Sequence, residues 1–309
     1  MTTTSRLLSA LLAAACFACG GRTSLGSGTL GTDGGASSVT LMIPLGSYPG
    51  CTAETVSVAP RFEGVAGGVG TVTLVQENDT VVATLAFAPF ASGKLAFTPT
   101  STSTAAFAAG RSFQVEALDF KGSNTTVTET TGSLVLVGDT LFISTHGQSA
   151  SADVSGHVHC PVPASLQPTS VATNAPPLAA LTPGIFGPCT SSVGATNVGL
   201  AGGGSGSVTV TASAGALSAT WNDDVTPVCK HLDFNDATLV TGQTCSVQRP
   251  CGPPPSLGPS TAPSVALLTS TAGAMTANGQ SLFIDLVGET TTEACGRHYL
   301  SIVCAPAGH

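Results

Sequence analysis

Charge is what this chain has least of. Asp, Glu, Lys and Arg make up 8% of its 309 residues, and only nine residues are Lys or Arg, whereas about one quarter of an ordinary globular domain is charged. The nine are scattered singly and the formal net charge is −8, so the clustered cations that would hold nucleic-acid phosphates or anionic headgroups are missing. The acidic balance reads as solubility rather than as attraction to a cationic partner. Aromatic residues are scarce as well, with one Trp and two Tyr, too few for the stacking platforms of a sugar-binding surface. Trp221, beside Asn222 and Asp223, reads as a core residue at a strand end. No apolar run approaches the about 20 residues of a spanning helix. Catalytic signatures are absent too: no Gly-x-Ser-x-Gly elbow, no His-Glu-x-x-His, no phosphate loop and no dinucleotide fingerprint. No enzyme activity and no cofactor are therefore expected. A glycosidase would need two opposed carboxylates, which only folding could bring together.

What the chain does have is one pattern written twice. The segments Cys51 to Cys160 and Cys189 to Cys304 superpose with few gaps. Gly67-Gly68-Val69-Gly70-Thr71-Val72-Thr73-Leu74 answers Gly203-Gly204-Ser205-Gly206-Ser207-Val208-Thr209-Val210, and Gly138-Asp139-Thr140-Leu141-Phe142-Ile143 answers Gly279-Gln280-Ser281-Leu282-Phe283-Ile284. A period this long means two copies of one folding unit, not a solenoid. Within each copy apolar residues alternate with Thr, Ser and Ala, the signature of half-buried strands. Asn78-Asp79, Gly138-Asp139 and Asn278-Gly279 supply two-residue hairpin turns, because these residues tolerate positive φ. No helical stripe is present. The expected fold is all-β: two tandem, disulfide-closed antiparallel domains of about eight strands, arranged as a meander barrel or a sandwich.

The chain begins as an export segment. Arg6 precedes an apolar run, Leu7 to Ala15, of signal-peptide length. The following Ala13-Ala14-Ala15-Cys16-Phe17-Ala18-Cys19-Gly20-Gly21 resembles the processing site of bacterial lipoproteins, in which cleavage before a cysteine is followed by its lipidation. That resemblance implies a lipid on Cys19, with Cys16 the alternative and an ordinary secretory cleavage the rival. Parity favours Cys19: of ten cysteines, loss of Cys16 and lipidation of Cys19 leave an even set for disulfides. The expected division is a signal peptide over 1–18, a Gly/Ser/Thr tether over 19–45, the first domain over 46–163, a Pro/Ala-rich linker over 164–188 and the second domain over 189–307. The hairpin Gly70 to Gln76 followed by Thr80 to Leu85 is similar to the leading hairpin of bacterial lipocalin-like barrels, although the lipocalin Gly-x-Trp start is lacking.

Beyond the export segment, eight cysteines without a CxxC pair indicate disulfides in an oxidising compartment. If each copy closes on itself, Cys51 pairs with Cys160 and, by equivalence, Cys189 with Cys304. Cys229, Cys245, Cys251 and Cys295 can then pair in three ways, of which Cys229 with Cys245 across a hairpin turn at Asn235-Asp236 and Cys251 with Cys295 across the Pro-rich stretch Pro250 to Pro263 is the favoured one. His157 and His159 share one face of a strand, and a pair at that spacing can hold a metal, with His146 as third ligand; the competing reading is two solvent-facing residues. Asn222-Asp223-Asp224 and Asp233-Phe234-Asn235-Asp236 gather oxygens that Ca²⁺ could use, but read better as turns.

The functional expectation is a non-catalytic envelope lipoprotein. Two similar β domains on a tether would bind an envelope or extracellular partner or serve structurally, with no nucleic-acid partner and membrane contact through the lipid alone. Linked copies raise effective concentration toward a repetitive partner. A lipocalin-like carrier of a small apolar ligand is the alternative, a hydrolase without sequence motifs the third reading, and a secreted inhibitor inserting Pro250 to Pro263 a further one.

Overall fold

Alternation becomes pleat in both copies. The computed structural model describes residues 41–57, 63–101, 104–108, 111–118, 123–168, 181–195, 199–214, 216–222, 230–235, 238–248, 265–278, 280–290 and 297–305. The first copy forms β1 (Gly46–Ser57), β2 (Glu63–Glu77), β3 (Thr80–Phe87), β4 (Ala91–Pro99), β5 (Thr104–Phe107), β6 (Phe113–Leu118), β7 (Asn124–Val137), β8 (Thr140–Gln148) and β9 (Asp153–Pro161). The second forms β10 (Gly184–Ala195), β11 (Gly199–Ser213), β12 (Ala216–Asn222), β13 (His231–Asn235), β14 (Thr238–Leu239), β15 (Thr244–Gln248), β16 (Val265–Asn278), β17 (Ser281–Thr290) and β18 (Arg297–Cys304).

Among the described residues every pairing is antiparallel, and each sheet closes on itself. In the first, β9 returns to β1 and β3 pairs with β4. Both β5 and β6 lie between β4 and β7 and share one position. The nine strands thus fill eight places around a barrel. The second sheet closes in the same way, with β10 against β18 and both β14 and β15 against β16. The expected meander is therefore a pair of barrels and not of sandwiches. The turn chemistry holds where it is described: Asn78 has φ 58° and Gly138 φ 61°. Gly279 lies outside the described residues.

An eight-stranded barrel is just wide enough for its own side chains to fill it. Tyr48, Phe87, Phe97, Leu74, Leu95, Leu134 and Leu141 fill the first, together with the Cys51–Cys160 disulfide, which points inward. Trp221, Phe234, Leu268, Met275 and Leu282 fill the second with Cys189–Cys304. Burial of such apolar surface, at roughly 25 cal/mol per Å², is the main favourable contribution in chains with this little charge. Close approach sets the small positions. A Cβ on Gly70 would overlap the Ala86 carbonyl and the Phe87 ring. Gly70→Ala is therefore expected to lower stability by about 1–3 kcal/mol, read as a fall in the urea midpoint with an unchanged slope; an unaltered midpoint would mean that the strand moves aside freely.

Three boundaries differ from the sequence expectation. Leu41 and Ile43, assigned by composition to the tether, are fully buried in the first core. Leu166, assigned to the linker, packs on the same core, and Pro44 forms a bridge with Pro168. Tyr48 Oη donates to the Pro44 carbonyl, which fastens the segment before β1 across that end of the barrel. The second barrel begins with β10 at Gly184, not at its first cysteine. Small and polar residues next to these anchors masked them in a composition window. The turn expected over Asp233-Phe234-Asn235 is instead strand β13, because Phe234 is fully buried and pulls the run into the sheet.

Candidate functional site

The outer face of β1, β7, β8 and β9 packs on the outer face of β10, β16, β17 and β18, and the chain's unusual polar groups meet there. On β9 the pleat sends Val158 and Cys160 inward and His157 and His159 outward, as the spacing predicts. Outward does not mean wet here: both imidazoles are buried beneath the second barrel, and the solvent-facing reading fails. His159 stands edge-on to Phe142 at 5.0 Å between centroids and lies against Tyr299 at 5.3 Å. The Nε2 of His157 is 3.5 Å from the Thr190 hydroxyl.

Register then sets a row of three across each sheet. Glu54, His157 and Ser144 are cross-strand partners in the first barrel, and Ser192, Ser301 and Asp285 in the second. The two rows interlock. Ser192 donates to Glu54 Oε2, Ser144 donates to Asp285 Oδ1 at 2.8 Å and lies 3.1 Å from the Ser301 hydroxyl, and Ser301 also donates to Asp285. Flanking bonds run from Thr276 to Ser133 at 2.8 Å and from Thr131 to the Asn278 carbonyl at 3.3 Å. Val135, Val137, Phe142, Val287 and Tyr299 form an apolar cluster alongside. An exposed ion pair, Arg297 with Asp139, closes the rim and contributes little at that exposure.

Burial controls the protonation of this layer. Desolvation pushes the Glu54 carboxyl up to about 8 against the opposing pull of the Ser192 hydrogen bond. It pushes Asp285 up to about 6 despite donors from Ser301 and Ser144. It holds His157 and His159 down at about 3, with His159 adding repulsion at His157. At physiological pH both imidazoles are thus uncharged and Glu54 is mostly protonated, whereas Asp285, raised less, is mostly ionised. Among the described residues, Glu54 Oε1, Asp285 Oδ2, His157 Nδ1 and both ring nitrogens of His159 make no hydrogen bond to protein.

A third buried acid lies inside the first barrel. Glu129 on β7 accepts from Thr145 and is raised to about 8 by burial. Gly147 and Gly156 leave the space that its carboxyl occupies, since a Cβ at Gly147 would stand 2.6 Å from Glu129 Oε2. Ser270 holds the equivalent place in the second barrel, opposite Gly288.

The metal expectation is not supported. Among the described residues no three His, Cys, Asp or Glu side chains are placed to hold an ion, so His157, His159 and His146 do not make one centre. Of the calcium candidates, Asp233 lies on β13, accepting from Ser218 and paired with His231 at 3.0 Å, and Asn222 donates to Thr209, whereas Asp223, Asp224 and Asp236 lie outside the described residues. Trp221 sits in the second core as expected. Cys245 is disulfide-bonded, while Cys16, Cys19, Cys229, Cys251, Cys295 and the stretch Pro250 to Pro263 lie outside the described residues. Sequence reading missed Glu54, Asp285 and Glu129. Glu54 had a usable signal: pairing Cys51 with Cys160 brings β1 beside β9, and Glu54 then falls next to His157.

No protein-family model matches the chain, and no curated protein matches it. Two solved structures are similar over most of its length. One is a Bacteroides fragilis protein proposed to belong to the outer membrane, 14% identical, with 84% of this chain and 96% of that chain covered at a TM-score of 0.27. The other is a protein of unknown function from the DUF3598 family of Nostoc punctiforme, 12% identical, with 84% and 94% covered at a TM-score of 0.21. Such low identities and TM-scores leave function to be read from this chain's own residues.

Proposed function

We propose that this protein is an exported, non-catalytic envelope lipoprotein, held by a lipid on Cys19, whose paired barrels act as a binding or structural body and not as a carrier. The observation that supports this reading best is the filled interior. Large side chains and an inward disulfide occupy both barrels, where a carrier would keep an apolar space for its ligand. The placement of the acids and imidazoles supports a non-catalytic role, because Glu54, Asp285, His157 and His159 are buried between barrels where a substrate does not reach them. Disulfides in each barrel favour an oxidising compartment, and the export segment supports the envelope. The partner then meets the outer surfaces left free by the interface.

The test is mass spectrometry of the full-length gene product extracted from the cell envelope, weighed native and then denatured. A denatured mass for a lipid-bearing chain starting at Cys19, with no further mass in the native spectrum, is the expected result. A start at Cys16 would move the anchor, and an unlipidated chain would make the protein secreted. Native mass that disappears on denaturation would overturn the filled-barrel reading in favour of a carrier.

A further inference from the structure

The interface has a local two-fold symmetry, and its two acids break that symmetry in a complementary way. Glu54 stands three residues after Cys51 and Ser192 three after Cys189; Ser144 follows Leu141-Phe142-Ile143 as Asp285 follows Leu282-Phe283-Ile284. Each is therefore the other's equivalent. The contacts join equivalents to each other: Ser192 to Glu54, and Ser144 to Asp285. Off this line the pairing is crossed, as two-fold symmetry requires: His159, toward one end of β9, lies on Tyr299, toward the opposite end of β18. Such a face is isologous, the kind by which a protein pairs with a second copy of itself.

We infer that Glu54 and Asp285 make the two barrels pair with each other and prevent either from pairing with its own kind. In the observed pairing each outer position of the line holds one carboxyl opposite one hydroxyl. Two first barrels, from two chains, would bury Glu54 against Glu54 and leave Ser144 facing Ser144. Two second barrels would bury Asp285 against Asp285. The two carboxyls of a buried pair must take up protons, at a cost that grows as pH rises, or suffer unscreened repulsion, and the hydroxyl donor that each acid now has would be gone. All four residues are buried, with side chains 1% exposed or less, so water does not relieve the conflict. A face inherited from a self-pairing unit is in this way kept within one chain.

The test uses the full chain and exchanges residues across the line. Of the two tyrosines, Tyr299 lies in the interface and Tyr48 in the first core, so nitration by tetranitromethane reports opening of the interface separately from opening of the barrel. Ser192→Glu places two carboxyls together and is expected to speed Tyr299 nitration at least about tenfold, with Tyr48 unchanged. The exchange Glu54→Ser with Ser192→Glu restores one acid and one hydroxyl and should bring the rate back to within about threefold of the parent. Ser144→Asp, and its exchange with Asp285→Ser, should behave alike. Ser192→Gln, of equal size without the charge, should lie well below Ser192→Glu. Exchanges as open as the single variants, or Ser192→Gln as open as Ser192→Glu, would overturn the inference. If Ser192→Glu fails to fold, a folded exchange variant supports it and a failed one sinks it.

Discussion

Replacing both Cys51 and Cys160 with serine is expected to lower the stability of the first barrel by about 4–5 kcal/mol. The bond closes a loop of sequence separation 109, and the chain-entropy account gives about 4.7 kcal/mol for a loop near 100 residues. That is a large share of the about 5–15 kcal/mol that holds a typical domain folded. The bond also sits at the seam where the last strand, β9, meets the first, β1, so its loss falls on barrel closure itself. The second barrel has its own bond, Cys189–Cys304, and the chain's single tryptophan, Trp221, lies in that core. Tryptophan fluorescence therefore follows the second barrel alone, whereas far-ultraviolet circular dichroism follows both. The expected outcome is an early transition seen by dichroism and a fluorescence midpoint shifted much less. Equal shifts in both signals would show that the barrels unfold as one unit, and no shift would remove the bond from the account of stability.

Stability should peak in mildly acidic solution and fall on both sides. His157 and His159 are held at about 3 in the folded chain, below their ordinary 6.5. The unfolded chain therefore binds more protons, and their contribution is lost as pH drops from about 6.5 toward 3. Glu54 and Glu129 are raised from 4.5 to about 8, so the folded chain binds more protons and their contribution is lost as pH climbs from about 4.5 to 8. Asp285, raised from 3.8 to about 6, adds to that loss only up to about pH 6. The imidazoles and carboxyls oppose one another between about 4.5 and 6.5, which leaves a broad maximum. Above 6.5 the two glutamates act alone, each removing about 1.4 kcal/mol per pH unit at most, and below 3.8 the two imidazoles act alone with the same limit. Urea midpoints taken across this range should trace that shape. Glu54→Gln and Glu129→Gln should each flatten the alkaline arm by about half. A profile that rises from pH 6.5 to 8 would show that these carboxyls are ionised in the folded chain.

The architecture was largely legible because it is encoded locally. Alternation of Val, Leu and Thr, turn pairs at Asn78-Asp79 and Gly138-Asp139, and repetition of the pattern are all short-range signals, and they lead to closed antiparallel sheets. The choice of barrel over sandwich was not local. It depends on β3 pairing with β4 while β9 pairs with β1, and both architectures use the same alternating strands. The domain edges were misread at Leu41, Ile43 and Leu166, because isolated apolar residues within Gly-, Ser- and Pro-rich stretches carry no period. At the candidate site, the shared face of His157 and His159 followed from the pleat, but their burial did not. An outward face on one barrel is polar in sequence whether it meets water or another barrel, and only the small, uncharged residues around the imidazoles distinguish the two.

By itself the sequence determined what each copy would be: an all-β unit, tied first strand to last by a cysteine pair, with a core of modest side chains and few charges at its surface. Those properties follow from period, turn chemistry and composition, which act over a few residues. Tertiary structure decided how the copies face each other, which carboxyls lose water, and that Glu54 meets Ser192 and Ser144 meets Asp285. These contacts join residues more than a hundred positions apart, and their energies arise from desolvation. Desolvation depends on everything packed around a group and on nothing that its neighbours in the chain reveal.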